Sequence, residues 1–304
     1  MKKTLFLFAA VAALGGCNRS PEFYFKRANA LLASGRESAA LENYNKALLL
    51  KKNFPEALTA RGMLFERQGD RQKAGLDYRK ALETDKAYLP AYNNLAAMLM
   101  DGGNYQEAER LLTSALEVKP DYAYAMLNRG LSRYKLGDCA GATADLSLAL
   151  AANPRFELAY YHRALCARRA GNTPAAMNDL DAVLALNPAA ALAWFERGKA
   201  LYSFKDYPGA AGEFLKAQQL NAADPSFAFW RAQALYRAVE LRPDSHQAEC
   251  LLGDIYGTMK DLKAAEEHYL KAAQLAPQYA SVYKARLAAL SAPVKRRPAA
   301  RKRS

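Results

Sequence analysis

Apolar and small residues in this chain recur at i, i+3, i+4 and i+7, the spacing of amphipathic helices, in short runs broken by polar turns. Residues 123–156, AYAMLNRGLSRYKLGDCAGATADLSLALAANPRF, show the pattern most clearly. Two helices are predicted there, joined by a turn at Leu136, Gly137 and Asp138 and closed by Asn153 and Pro154. Gly130, Ala142 and Ala149 occupy the 8th, 20th and 27th positions of this stretch, where two helices crossing at close range leave no room for larger side chains. The stretch is a helical hairpin.

The same small positions return every 34 residues. Position 8 is Ala28, Gly62, Ala96, Gly130, Ala164, Gly198 and Ala232; position 20 is Ala40, Ala74, Ala108, Ala142, Ala176 and Ala210. Position 27 is Ala47, Ala81, Ala115, Ala149, Val183 and Ala217. Six complete units therefore fill residues 21–224. Residues 225–245 then supply 21 residues where 34 are due, reading as the start of a first helix fused at Leu235 to the end of a second. A single continuous helix is predicted for this shortened unit. The register resumes over 246–279 with Gly253, Ala265, Ala272 and Pro277, and 280–292 reads as a capping helix over the last hairpin. Deleting one helix of an up-and-down pair reverses the direction of every later helix. A separately oriented C-terminal subdomain, hinged near Asp224 or Ser245, is expected, the alternative being a rigid array with a local kink.

Position 24 is Tyr44, Tyr78, Leu112, Leu146, Leu180 and Phe214, and position 32 is proline at Pro120, Pro154 and Pro188. A small residue at 8, alanine at 20, a large apolar residue at 24 and proline at 32 resemble the tetratricopeptide repeat, over roughly residues 21–292. The resemblance implies an all-α solenoid of helical hairpins wound as a right-handed superhelix, and a protein or peptide ligand held in the groove of its first helices.

Internal copies can be compared as an alignment. Position 7 is Arg27, Arg61, Leu95, Arg129, Arg163, Arg197 and Leu252, while position 23 is Asn43, Asp77, Leu111, Asp145, Asp179, Glu213 and His268. Arginine at 7 accompanies a carboxylate or amide at 23, and in the third unit leucine accompanies leucine. Ion pairs clipping the two helices of one hairpin are predicted for Arg61 with Asp77, Arg129 with Asp145, Arg163 with Asp179, and Arg197 with Glu213. Arg231 stands at position 7 of the shortened unit without its partner column, and is expected to be solvated or recruited by a neighbour or ligand.

Catalytic constellations are absent from the sequence. His162, His246 and His268 are the only histidines, none in a metal-binding spacing, and there is no phosphate-binding loop, dinucleotide fingerprint or nucleophile elbow. A non-enzymatic protein without cofactor or metal is expected. Positions 4, 7, 8 and 11 of each first helix point into the hairpin, which leaves positions 2, 5, 6, 9 and 12 on the opposite face. By the resemblance that face lines the groove, and Asn94, Tyr124, Asn128, Tyr134, Tyr161, His162, Arg168 and Tyr202 are the candidate ligand contacts. Tyrosines beside amides offer rigid apolar area together with groups that bond a peptide backbone. Their apolar neighbours Leu127, Leu131, Leu165 and Phe195 serve equally well as packing between successive first helices. The lysines of the carboxylate-clamp adaptors in this family are missing: position 5 holds Phe25, Thr59, Asn93, Leu127, Tyr161 and Phe195.

The ends of the chain add a location. Lys2 and Lys3, an apolar run over 5–14 and Leu14-Gly15-Gly16-Cys17 read as a secretion signal over 1–16. Its end resembles the lipobox of bacterial lipoproteins, which implies acylation at Cys17, a short linker over 17–20 and anchoring at the periplasmic face of the outer membrane. An ordinary signal peptide with an incidental cysteine is the alternative. About half of the formal net charge of +13 lies in a tail over 293–304, where Lys295, Arg296, Arg297, Arg301, Lys302 and Arg303 stand without an acid. The tail is expected to be disordered, and behind a lipid anchor anionic lipid or an acidic envelope polymer suits it better than nucleic acid. Cys139, Cys166 and Cys250 show no metal spacing and read as small hydrophobes, with a Cys139–Cys166 disulfide as the other option. Together these features predict a membrane-anchored interaction scaffold in cell-envelope assembly. The rival is a soluble intracellular adaptor whose basic tail touches nucleic acid.

Overall fold

The computed structural model describes residues 19–291, and the signal segment, Cys17 and the basic tail lie outside them. The described residues are helical throughout, without strands. In chain order the helices are α1 (Pro21–Ala33), α2 (Glu37–Leu50), α3 (Pro55–Arg67), α4 (Arg71–Thr84), α5 (Leu89–Asp101), α6 (Tyr105–Val118), α7 (Ala123–Leu136) and α8 (Cys139–Ala152). They continue as α9 (Glu157–Arg169), α10 (Thr173–Leu186), α11 (Ala191–Ser203), α12 (Tyr207–Leu220), α13 (Pro225–Leu241), α14 (His246–Thr258), α15 (Leu262–Leu275) and α16 (Ala280–Ser291). A short 3₁₀ turn, Pro277–Tyr279, precedes α16.

The turns inside the hairpins repeat one chemistry. Gly35, Gly69, Gly103, Gly137 and Gly171 each adopt a positive φ between +74° and +90°, the left-handed conformation that ends a helix. In three of these hairpins an acceptor one residue later caps the second helix: Asp70 accepts from the Lys73 amide at 3.1 Å, Asp138 from Gly141 at 2.9 Å and Asn172 from Ala175 at 3.2 Å. Asp206 and Asp261 cap α12 and α15 in the same way. In those two hairpins the left-handed residue is Lys205 (φ 64°) and Lys260 (φ 63°), so a lysine takes a conformation that costs an L-residue energy.

Two compact units make up the chain, divided between Leu136 and Gly137. In the first, the large residue at position 24 plugs each hairpin: Tyr44, Tyr78 and Leu112 are fully buried, with Leu64, Leu95 and the small alanines packed around them. A Cβ at Gly62 would sit 2.7 Å from the Tyr78 ring, so a larger residue there would have to push the ring aside. The second unit repeats the device. A Cβ at Gly198 would lie 2.5 Å from Phe214, and one at Gly253 2.9 Å from Tyr269.

Between α12 and α14 stands one helix, α13, of 17 residues. Its Phe227, Ala232, Leu235 and Val239 belong to a single buried cluster that starts at Phe195 on α11 and ends at Leu252 and Ile255 on α14. The buried cluster thus spans Asp224 and Ser245, the two points at which a hinge is expected. The core crosses both points because one helix buries apolar residues toward both neighbours, and the division into compact units lies elsewhere, at 136/137.

Candidate functional site

The ion-pair columns are best seen at Arg61 and Arg163. Arg61 donates from Nε and Nη2 to the two oxygens of Asp77, both at 2.7 Å, and Arg163 grips Asp179 at 2.9 and 2.7 Å. Each is the planar two-point fork of guanidinium on carboxylate. The remaining nitrogen turns the other way, to position 25 of the preceding hairpin: Arg61 Nη1 donates to Asn45 at 2.8 Å and Arg163 Nη1 to Ser147 at 3.0 Å. Arg129 Nη1 reaches Thr113 at 3.3 Å, and Arg197 Nη1 lies 2.9 Å from Asp181 and its Nη2 3.4 Å from Glu213. Each arginine is thus a clamp between hairpins. Position 25 is Arg79 in the second hairpin, where a position-7 arginine would meet a like charge, and Leu95 stands there instead. Asp145 is buried on α8. Arg231 is half-buried, and its guanidinium donates one long bond of 3.4 Å to Gln218.

The opposite face of the first helices holds the candidate ligand contacts. In the first unit, Asn94 is half-buried on α5 and Tyr124 is exposed on α7, beside Tyr122 at 6.1 Å between ring centroids. The Asn128 amide donates to Asn93 Oδ1 at 2.8 Å, tying α7 to α5. Tyr134 is half-buried near the end of α7.

In the second unit the face becomes a strip along α9 and α11. Tyr161 and His162 meet edge to face at 5.4 Å. With Leu158, Asn187, Ala191 and Leu192 they line a cavity of about 390 Å³, and both leucines are 53 % exposed there. Glu157 and Asn187, 3.2 Å apart, give it a polar rim. Farther along the same two helices Glu196 is buried, with Arg168 Nε at 3.0 Å and Lys199 Nζ at 3.2 Å. Two cations here share one carboxylate. Lys199 also lies 4.2 Å above the Phe195 ring, and Tyr202 packs at right angles on Trp230, 5.6 Å away. The strip therefore offers an apolar socket followed by a patch in which positive charge exceeds negative.

The strip extends beyond the residues singled out from the sequence. Phe229, Gln233 and Tyr236 on α13, with Tyr256 and Met259, line a further cavity of about 300 Å³. Phe229, Gln233 and Tyr236 occupy positions 5, 9 and 12 of the shortened unit, so carrying the groove columns one step past α11 would have found them.

Models of the tetratricopeptide repeat match residues 28–69, 55–88, 94–155, 129–180, 163–226 and 247–279. The chain is built of tetratricopeptide repeats. Among solved structures, this tetratricopeptide protein is similar to Pseudomonas aeruginosa pilF, with a TM-score of 0.62 and 20% identity, covering 70% of this chain and 97% of that one. It is similar also to PilW, described as a widely conserved type IV pilus biogenesis factor (TM-score 0.58, 20% identity, 67% and 94% covered). A third is YrrB, described as a TPR protein with an unusual peptide-binding site (0.54, 20%, 63% and 96%). At such identities the likeness establishes the fold alone. No curated protein sequence matches the chain.

Proposed function

We propose that this chain is a protein-interaction scaffold that holds an extended peptide along the first-helix face of its second unit. The observation that carries this reading is the strip on α9 and α11. Its socket between Tyr161, His162, Leu158 and Leu192 suits one apolar side chain, and the cation excess at Arg168 and Lys199 suits a carboxylate farther along the same peptide. Unsatisfied apolar exposure supplies affinity, and the charges supply direction. The peptide-binding site named for YrrB supports a peptide ligand. The test is a peptide selected from a random library against the whole protein: its affinity falls at least tenfold with Tyr161→Ala, and falls with salt when the peptide is acidic.

The setting we propose is the cell envelope, with the protein held by acylated Cys17 at the periplasmic face of the outer membrane. The Leu14-Gly15-Gly16-Cys17 sequence supports the anchor, and the likeness to pilF and PilW supports a role in pilus or envelope assembly. The basic tail then meets anionic lipid or acidic polymer. Metabolic labelling with an acyl probe tests the anchor: label on the native protein and none on Cys17→Ser supports it, and an unlabelled soluble native protein overturns it.

A further inference from the structure

Away from the peptide strip, a cleft of about 700 Å³ opens between α8, α9 and α10, lined by Cys139, Thr143, Ser147, Arg163, Cys166 and Asp179 among others. Its floor holds two free thiols. Cys139 is the first residue of α8 and half-exposed, whereas Cys166 lies on the facing side of α9 and is buried. They belong to neighbouring hairpins. Cys139 and Thr143 on α8 and Cys166 on α9 line this one cleft, so the two thiols open into a shared space between a packed helix pair. The Arg169 guanidinium, one turn beyond Cys166, approaches Cys139 Sγ at 3.9 Å.

From this geometry we infer that Cys139 and Cys166 form a dithiol site that an external disulfide converts into a cross-link between α8 and α9. The half-exposed Cys139 reacts first. Its thiolate, held beside a cation, attacks one sulfur of the external disulfide and releases one thiol, giving a mixed disulfide. Cys166 then loses its proton to the departing thiolate, attacks Cys139 Sγ and displaces the second thiol. Two protein thiols are oxidised and one external disulfide is reduced to two thiols. Burial pushes the Cys166 thiol up to about 12, so the second step is the slow one. The third described cysteine, Cys250, is buried in a different cluster with Tyr269 and Tyr283 and takes no part.

The test treats the folded full-length protein with oxidised glutathione, blocks residual thiols, and maps tryptic peptides. Peptides 136–155 and 164–168 are expected joined, with the loss of two hydrogens and no glutathione retained. The melting temperature rises by several degrees and returns on reduction. Cys139→Ser and Cys166→Ser each abolish both changes, and Cys250→Ser leaves them intact. Glutathione retained on Cys139 with Cys166 still free, or both thiols left unmodified while denatured protein reacts, overturns the inference.

Discussion

Arg197 Nη1 lies 2.9 Å from Asp181 in the hairpin before its own, and its Nη2 only 3.4 Å from Glu213 within its own hairpin. The position-7 arginine therefore does more than close a hairpin. Where it is present it binds its hairpin to the one before it, so cohesion of the stack depends partly on directional polar contacts at the edge of an alanine-rich core.

Removing a clamp should consequently loosen the stack. Arg163→Ala leaves Asp179, 8 % exposed, without its guanidinium and Ser147 without its donor. Because the arginine itself is about a quarter exposed, the loss should be near the lower end for broken buried pairs, roughly 2–3 kcal/mol. Urea denaturation of Arg163→Ala, Asp179→Ala and the double variant measures it, and the cycle should show a coupling above about 1 kcal/mol.

Lys205 and Lys260 stand in a left-handed conformation that five other hairpins assign to glycine. Lys205→Gly and Lys260→Gly should each stabilise the protein by about 1 kcal/mol, the conformational penalty removed outweighing the extra freedom of the unfolded glycine. Thermal melts of the two variants check this, and a lower melting temperature would contradict it.

Gly198 faces the ring of Phe214. Gly198→Ala places a Cβ 2.5 Å from Cε1, and overpacking of this kind costs roughly 1–3 kcal/mol. Adding Phe214→Leu should restore most of the loss, because the chain itself combines Ala96 with Leu112 and Ala164 with Leu180 at the same two positions. Chemical denaturation of the single and double variants decides it.

Burial raises the phenols of Tyr44, Tyr78 and Tyr269 above their ordinary value of 10.0, and hydrogen bonds to Glu66 and Asp254 raise the last two further. The unfolded chain releases these protons near pH 10 while the folded chain keeps them. Their contribution is complete below pH 10 and lost as pH rises above it. Unfolding followed by tyrosinate absorbance should therefore show stability falling steadily above pH 10, with these phenols ionising only as the fold opens.

Much of this was legible because repeats print the packing rules many times in one chain. Small residues at positions 8, 20 and 27 revealed the hairpins, and the correlated columns 7 and 23 pointed to the forks of Arg61 with Asp77 and Arg163 with Asp179. The second half of each clamp was not legible. Its acceptors, Asn45, Thr113, Ser147 and Asp181, share an ability to accept a hydrogen bond but no residue type, so their column looks unremarkable as a string of letters. Arg168 illustrates the same limit. Its contact with Glu196 lies 28 residues away on the next first helix, outside the hairpin within which sequence comparison sought partners. Helix counting at α13 registers only direction; the continuity of the core there depends on Phe227, Leu235 and Val239, which the string of letters does not show.

The claim that the α9–α11 strip holds a peptide is tested most directly by the affinity of one library-selected peptide for three forms of the protein. Native protein, Tyr161→Ala in the socket and Leu148→Ala, an exposed leucine on α8 away from it, are compared by fluorescence anisotropy. The predicted result is a Kd at least tenfold weaker for Tyr161→Ala, about 1.4 kcal/mol or more, with Leu148→Ala equal to native. An affinity untouched by Tyr161→Ala, or lowered equally by both substitutions, would contradict it.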